Sequence, residues 1–158
     1  MIYLKIFEDY DSFSQVEEDI EDIKLILQDM IDDYYIVDID FVPKRWENPP
    51  AYTVDTDFIK IYIKKNHCRR SMYPIDSEFS PSIISNELNM ILSIHKGSKI
   101  EFKVCIKDNE YSKIAKPPVN NIHGIWKDVP NINSILNKDK IIGLELKIFL
   151  GSKNIDKL

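Results

Sequence analysis

Glycine is scarce in this 158-residue chain, with four in all, at Gly97, Gly124, Gly143 and Gly151. None stands in a glycine-rich loop of the kind that cradles a phosphate, so the common nucleotide-binding fingerprints are absent. No serine lies in a nucleophile-elbow sequence. Cysteine is limited to Cys68 and Cys105. At this length a chain buries about two-thirds of its unfolded surface, enough to fold without a disulfide or a metal. His67, His95, Cys105 and His123 are separated by 28, 10 and 18 residues, with no short pair suited to zinc. His67 and Cys68 adjoin, but neighbours on an extended segment point apart and do not make a catalytic pair. No apolar run approaches the roughly 20 residues of a membrane span, so no membrane partner is expected. The opening MIYLKIFEDYD lacks the basic-then-apolar layout of a secretion signal. A cytoplasmic chain with reduced cysteines is expected, holding no cofactor, no metal and no catalytic residue set.

What is present is a globular composition, 44% hydrophobic and 30% charged, with a split in charge. Twenty-seven isoleucines stand beside two alanines and three arginines, the mark of an AT-rich coding sequence. Residues 1–33 hold eleven acids and two lysines, a charge of −9. The remainder, with 15 acids and 19 bases, is +4, which returns the net −5. An acidic block of this kind is either a solvated helix face or a surface that meets a basic partner or mimics a nucleic-acid backbone. Its candidate partner-binding residues are Glu17, Glu18, Asp19, Glu21 and Asp22.

Periodicity divides the chain into elements. Residues 1–7 alternate, with Ile2, Leu4 and Ile6 opposite Tyr3, Lys5 and Phe7, a strand pattern. Ser14 and Glu17 make a capping-box pair, and Phe13, Val16, Ile20, Ile23, Leu27, Met30 and Tyr34 recur at helical spacing. Period two returns at 35–42 and again at 58–64, reading as a hairpin with a long connection interrupted by Pro43, Pro49 and Pro50. Ser80, Pro81 and Gly97 punctuate a second helix, which His95 ends. Residues 100–107 form a fourth strand, with Cys105 outward, and 140–150 a last one. Residues 108–139 read as an irregular excursion with a short helix near Asn131–Asn137.

One domain over 1–158 follows, with its core in about 1–107 plus 140–150. The order β-α-β-β-α-β matches a ferredoxin-like α+β sandwich. Two helices cover one face of a mainly antiparallel sheet, and a further C-terminal strand is added. The first and third strands are central in that layout and would present Tyr3, Lys5 and Phe7 beside Lys60, Tyr62 and Lys64. That set resembles the binding face of the RNA-recognition motif over residues 1–107, although the family's longer third-strand signature is absent from FIKIYIKK. The resemblance implies a single-stranded nucleic-acid binder in which the rings stack bases and the lysines meet phosphates. The basic cluster after the third strand, with Arg69 and Arg70, would add to it. The opening YLKIFEDYD followed by an acidic helix also looks like the starts of small proteins of AT-rich tailed phages, which implies an accessory or inhibitory role.

Carboxylates offer the enzyme alternative. Asp9 follows the first expected strand, and Asp38 and Asp40 lie outward on the second. Small ferredoxin-like nucleases of the CRISPR-adaptation type place an aspartate after their first strand, and Asp9 is similar in position. Paired carboxylates there would hold a divalent cation for phosphodiester cleavage. Three functional readings therefore stand: a non-enzymatic binding or regulatory module with a protein partner, a nucleic-acid binder, and a metal-dependent nuclease. Association with a second copy is compatible with each.

Overall fold

The computed structural model describes residues 2–32, 35–43, 57–66, 76–108 and 124–150. The chain opens with a long helix, α1 (Ile2–Ile26), followed after a turn at Leu27 by the short α2 (Gln28–Asp32). Residues 2–7 are thus helical, where the sequence pattern over 1–7 indicated a strand. The reason is visible in the same residues. Ile2 and Ile6, and Tyr3 and Phe7, are each four apart, so a helical period fits them as well as alternation does. No glycine or proline precedes Pro43 to stop the helix. Ser14 therefore lies inside α1 and is not its cap. Downstream the expected stripe holds: Val16, Ile23, Leu27 and Met30 are buried and Ile20 packs against them.

The strands follow. β1 (Tyr35–Val42) and β2 (Phe58–Asn66) pair antiparallel in one unbroken register, Tyr35 with Lys65 through Val42 with Phe58. The two-residue β3 (Asp76–Ser77) pairs with the end of β2. A 3-10 turn at Pro81–Ile84 leads into α3 (Ser85–Ile94), and Gly97 beyond it takes a φ of 89°, a conformation glycine adopts without steric cost. β4 (Lys99–Lys107), β5 (Gly124–Val129), α4 (Ile132–Leu136) and β6 (Gly143–Phe149) complete the order. Part of the stretch expected to be irregular is thus regular: β5 extends the sheet beyond β4, and α4 matches the short helix expected there. Asn131 caps α4, its Oδ1 accepting from Ser134 N–H at 2.9 Å.

The main strands lie in the order β1-β2-β6-β4-β5, with every pairing antiparallel. The fold is α+β, with helices on one face of an open antiparallel sheet. It is consistent with a ferredoxin-like arrangement carrying an extra strand. The central place expected for residues 1–7, between β2 and β4, is filled instead by β6. Alternation decides which residues meet the helices. Ile59, Ile61 and Ile63 of β2 and Leu144, Leu146 and Ile148 of β6 are fully buried, against Ile23, Leu27, Leu88 and Ile91 of the helices. Burying each such side chain contributes about 1.5–3 kcal/mol. Tyr35 meets Phe79 edge-on at 5.4 Å and closes the core beside α2.

Candidate functional site

Cross-strand register fixes what the opposite face of the sheet presents. Residues paired across neighbouring strands share a face. One row runs Asp40, Lys60, Lys147, Glu101; the next runs Asp38, Tyr62, Glu145, Lys103, Asp128; a third runs Ile36, Lys64, Gly143, Cys105, Trp126. Acids and lysines interleave and close on one another. Lys60 Nζ lies 3.8 Å and Lys147 Nζ 3.9 Å from Glu145 carboxylate oxygens. Lys103 Nζ is 3.9 Å from Asp128, and Lys99 Nζ 3.4 Å from Glu101. Each such surface pair contributes less than about 1 kcal/mol, but together they offset the charges of Glu101, Asp128 and Glu145.

Two aromatic pairs sit in that lattice. Phe58 and Phe149 are 5.6 Å apart, with Lys147 over the first ring and Lys99 over the second. Tyr62 and Trp126 are also 5.6 Å apart and converge above Gly143. The missing side chain of Gly143 leaves the gap that these rings cover. Trp126 remains 41% exposed.

Lys60, Tyr62 and Lys64 thus occupy the outer face as the alternation indicated, but Tyr3, Lys5 and Phe7 do not join them, because they belong to α1. The ring beside Tyr62 is instead Trp126, which the sequence left in an unassigned stretch. Arg69, Arg70, His67, Cys68, Trp46 and His123 lie outside the described residues. Cys105 is on the outer face as expected, yet it is buried, beside Gly124 and Gly143. His95 ends α3 as expected and is buried.

Asp9 lies within α1 and not in a loop after a strand, so the geometry expected for the nuclease reading is not formed at that residue. Among the described residues, no three His, Cys, Asp or Glu side chains stand together as a metal site. No described helix is long and apolar enough to cross a membrane.

The acidic helix is where the pattern placed it. Glu17, Glu18, Glu21 and Asp22 are exposed on the face of α1 that turns away from the core. Asp19, grouped with them in the sequence, is turned inward at 7% exposure, and its Oδ1 accepts from Gln15 Nε2 at 3.2 Å. Residue 19 falls on the buried stripe of Val16 and Ile23, a consequence of the 3.6-residue period. Lys24 donates to Glu21 at 3.1 Å. α1 continues into α2, α2 packs on β1, and β1 is the outermost strand on its side of the sheet. α1 thus carries its exposed acids on the helix side of the sheet, while exposed Asp38 and Asp40 of β1 stand on the outer face at the sheet's edge. Among the described residues, Glu17, Glu18, Asp22, Asp38 and Asp40 close no ion pair, in contrast to Glu101, Asp128 and Glu145.

Comparison with protein-family models, with curated proteins and with solved structures found no match.

Proposed function

We propose that the chain is a non-enzymatic binding module that engages a basic protein partner through the flank built by α1 and β1. The observation that carries this reading is the contrast in charge closure. Glu101, Asp128 and Glu145 of the outer sheet face pair with lysines, whereas among the described residues Glu17, Glu18 and Asp22 of α1 and Asp38 and Asp40 of the edge strand close no ion pair. Uncompensated carboxylates on α1 and along the β1 edge produce a negative field that attracts a basic surface and speeds encounter. An accessory or inhibitory role toward a host component accords with it and with the phage-like opening of the sequence. The test is a fluorescence-anisotropy titration with a labelled lysine-rich peptide. Replacing Glu17, Glu18, Glu21 and Asp22 with Gln, Gln, Gln and Asn should weaken binding at least tenfold at low salt. Unchanged affinity in that variant would refute this surface.

A second reading, a single-stranded nucleic-acid binder, is favoured by the half-exposed rings of Tyr62 and Trp126, with Lys103 in the row of the first and Lys64 in the row of the second. A flat indole stacks on any base. Labelled single-stranded RNA titrated against Trp126→Ala separates the two readings, because the protein-partner surface does not include Trp126.

A further inference from the structure

We infer that the outer edge of β1 receives an extended basic segment of the partner by strand addition. This rests on the acidic-flank reading and specifies its geometry. β1 ends the sheet: it pairs with β2 on one side, and among the described residues no strand pairs with it on the other. In an antiparallel ladder, alternate residues turn their N–H and C=O groups away from the neighbour already paired. Half of the eight residues of β1 therefore offer backbone donors and acceptors outward.

The side chains specify what would fit. On the outer face β1 presents Asp38 and Asp40, both exposed. On the inner face Val37 and Ile39 reach the core but stay only half-buried, since no strand lies beside them. A strand laid along this edge shares faces with β1 residue by residue. It would set a lysine or arginine against each aspartate and an apolar residue against Val37 and Ile39. The preferred ligand is thus a segment of about seven residues in which basic and β-branched residues alternate, held by main-chain hydrogen bonds with pockets for alternate side chains. An exposed edge of this length is a hazard unless something blunts it. Two aspartates repel a second β1 laid against the first, because in an antiparallel self-pair centred on Ile39, Asp38 of one copy faces Asp40 of the other. The same charges that keep copies apart select a basic strand.

The test uses the full chain and three blocked peptides: alternating lysine and valine over seven residues, the same peptide N-methylated at every second residue, and a helical lysine-rich peptide of equal charge. Affinity is read by anisotropy, and amide hydrogen exchange is read across residues 35–42. The expected result is that only the first peptide protects β1 amides, that N-methylation removes the protection, and that the pair Asp38→Lys and Asp40→Lys weakens binding about tenfold. Equal binding of the N-methylated peptide, with no protection in β1, would overturn strand addition while leaving the acidic flank standing. No binding of any basic peptide at low salt would remove both. Protection of all β1 amides in the unliganded chain would also overturn the proposal, whether it is independent of concentration, meaning a covered edge, or rises with concentration, meaning a second copy.

Discussion

Alanine at Gly124 and alanine at Gly143 are predicted to move stability in opposite directions, although both glycines lie in strands next to Cys105. At Gly143 a Cβ would stand 3.4 Å from the Trp126 ring, 3.5 Å from the Tyr62 hydroxyl and 3.6 Å from Cys105 Cβ, all ordinary contacts. The methyl fits, and the unfolded chain loses freedom, so Gly143→Ala should stabilise by about 0.4–1 kcal/mol. At Gly124 a Cβ would overlap Cys105 Sγ and press Ile142 Cδ1 at 3.2 Å. Overpacking of that kind costs about 1–3 kcal/mol, and Cys105 is buried and has little room to move. Urea unfolding of both variants gives the signs directly. Thermal melts should separate them by several degrees, at about 2–4 °C per kcal/mol for a chain of this size. A double-mutant cycle isolates the cause. Cys105→Ala alone loses buried surface, yet combined with Gly124→Ala it removes the clash, so the two should be coupled favourably by about 1–2 kcal/mol. Strict additivity, or a Gly124→Ala variant as stable as the parent, would refute the packing argument.

Two further predictions concern the helices. Asn131→Ala removes the side-chain cap of α4 and should cost about 1 kcal/mol in urea unfolding. Ser80→Ala should be nearly neutral by comparison, because the Ser80 hydroxyl caps nothing and meets Ser82 Oγ at 3.0 Å. On α1, Glu18 and Asp22 are exposed like charges four residues apart. Replacing both with Gln and Asn should raise stability by about 0.2–0.5 kcal/mol in dilute buffer. That gain should vanish in 1 M salt, where the Debye length falls to about 3 Å.

Much of the fold was legible because burial imposes a period. The buried isoleucines of β2 and the leucines of β6 announced themselves by strict alternation, and α3 by Pro81 and Gly97. Residues 2–7 misled because six residues cannot separate a period of two from one of 3.6 when most of them are apolar. Without a breaker, the stretch continues the helical pattern of the residues that follow. β5 was illegible for the opposite reason. Its middle four residues, Ile125 to Asp128, are exposed, so no hydrophobic pattern marks a strand whose existence depends on pairing with β4. Missing β5 also meant missing Trp126 as the neighbour of Tyr62. The acidic surface was legible as composition, but Asp19 had to be removed from it, and Asp38 and Asp40 stood out beside it only once β1 proved to be the edge.

The placement of β6 has a consequence for how the chain is made. Among the described residues, the last strand in sequence is the middle strand in space, the seam between the β1-β2 pair and the β4-β5 pair. Until synthesis passes Phe149, those two halves are not joined strand to strand, and the inner edges of β2 and β4 lack their sheet partner. The sheet is therefore assembled after translation of nearly all of it, by closure of contacts far apart in sequence, a slow and aggregation-exposed step. A nascent chain stalled before residue 143 is a pair of open hairpins, the kind of species a holding chaperone would meet.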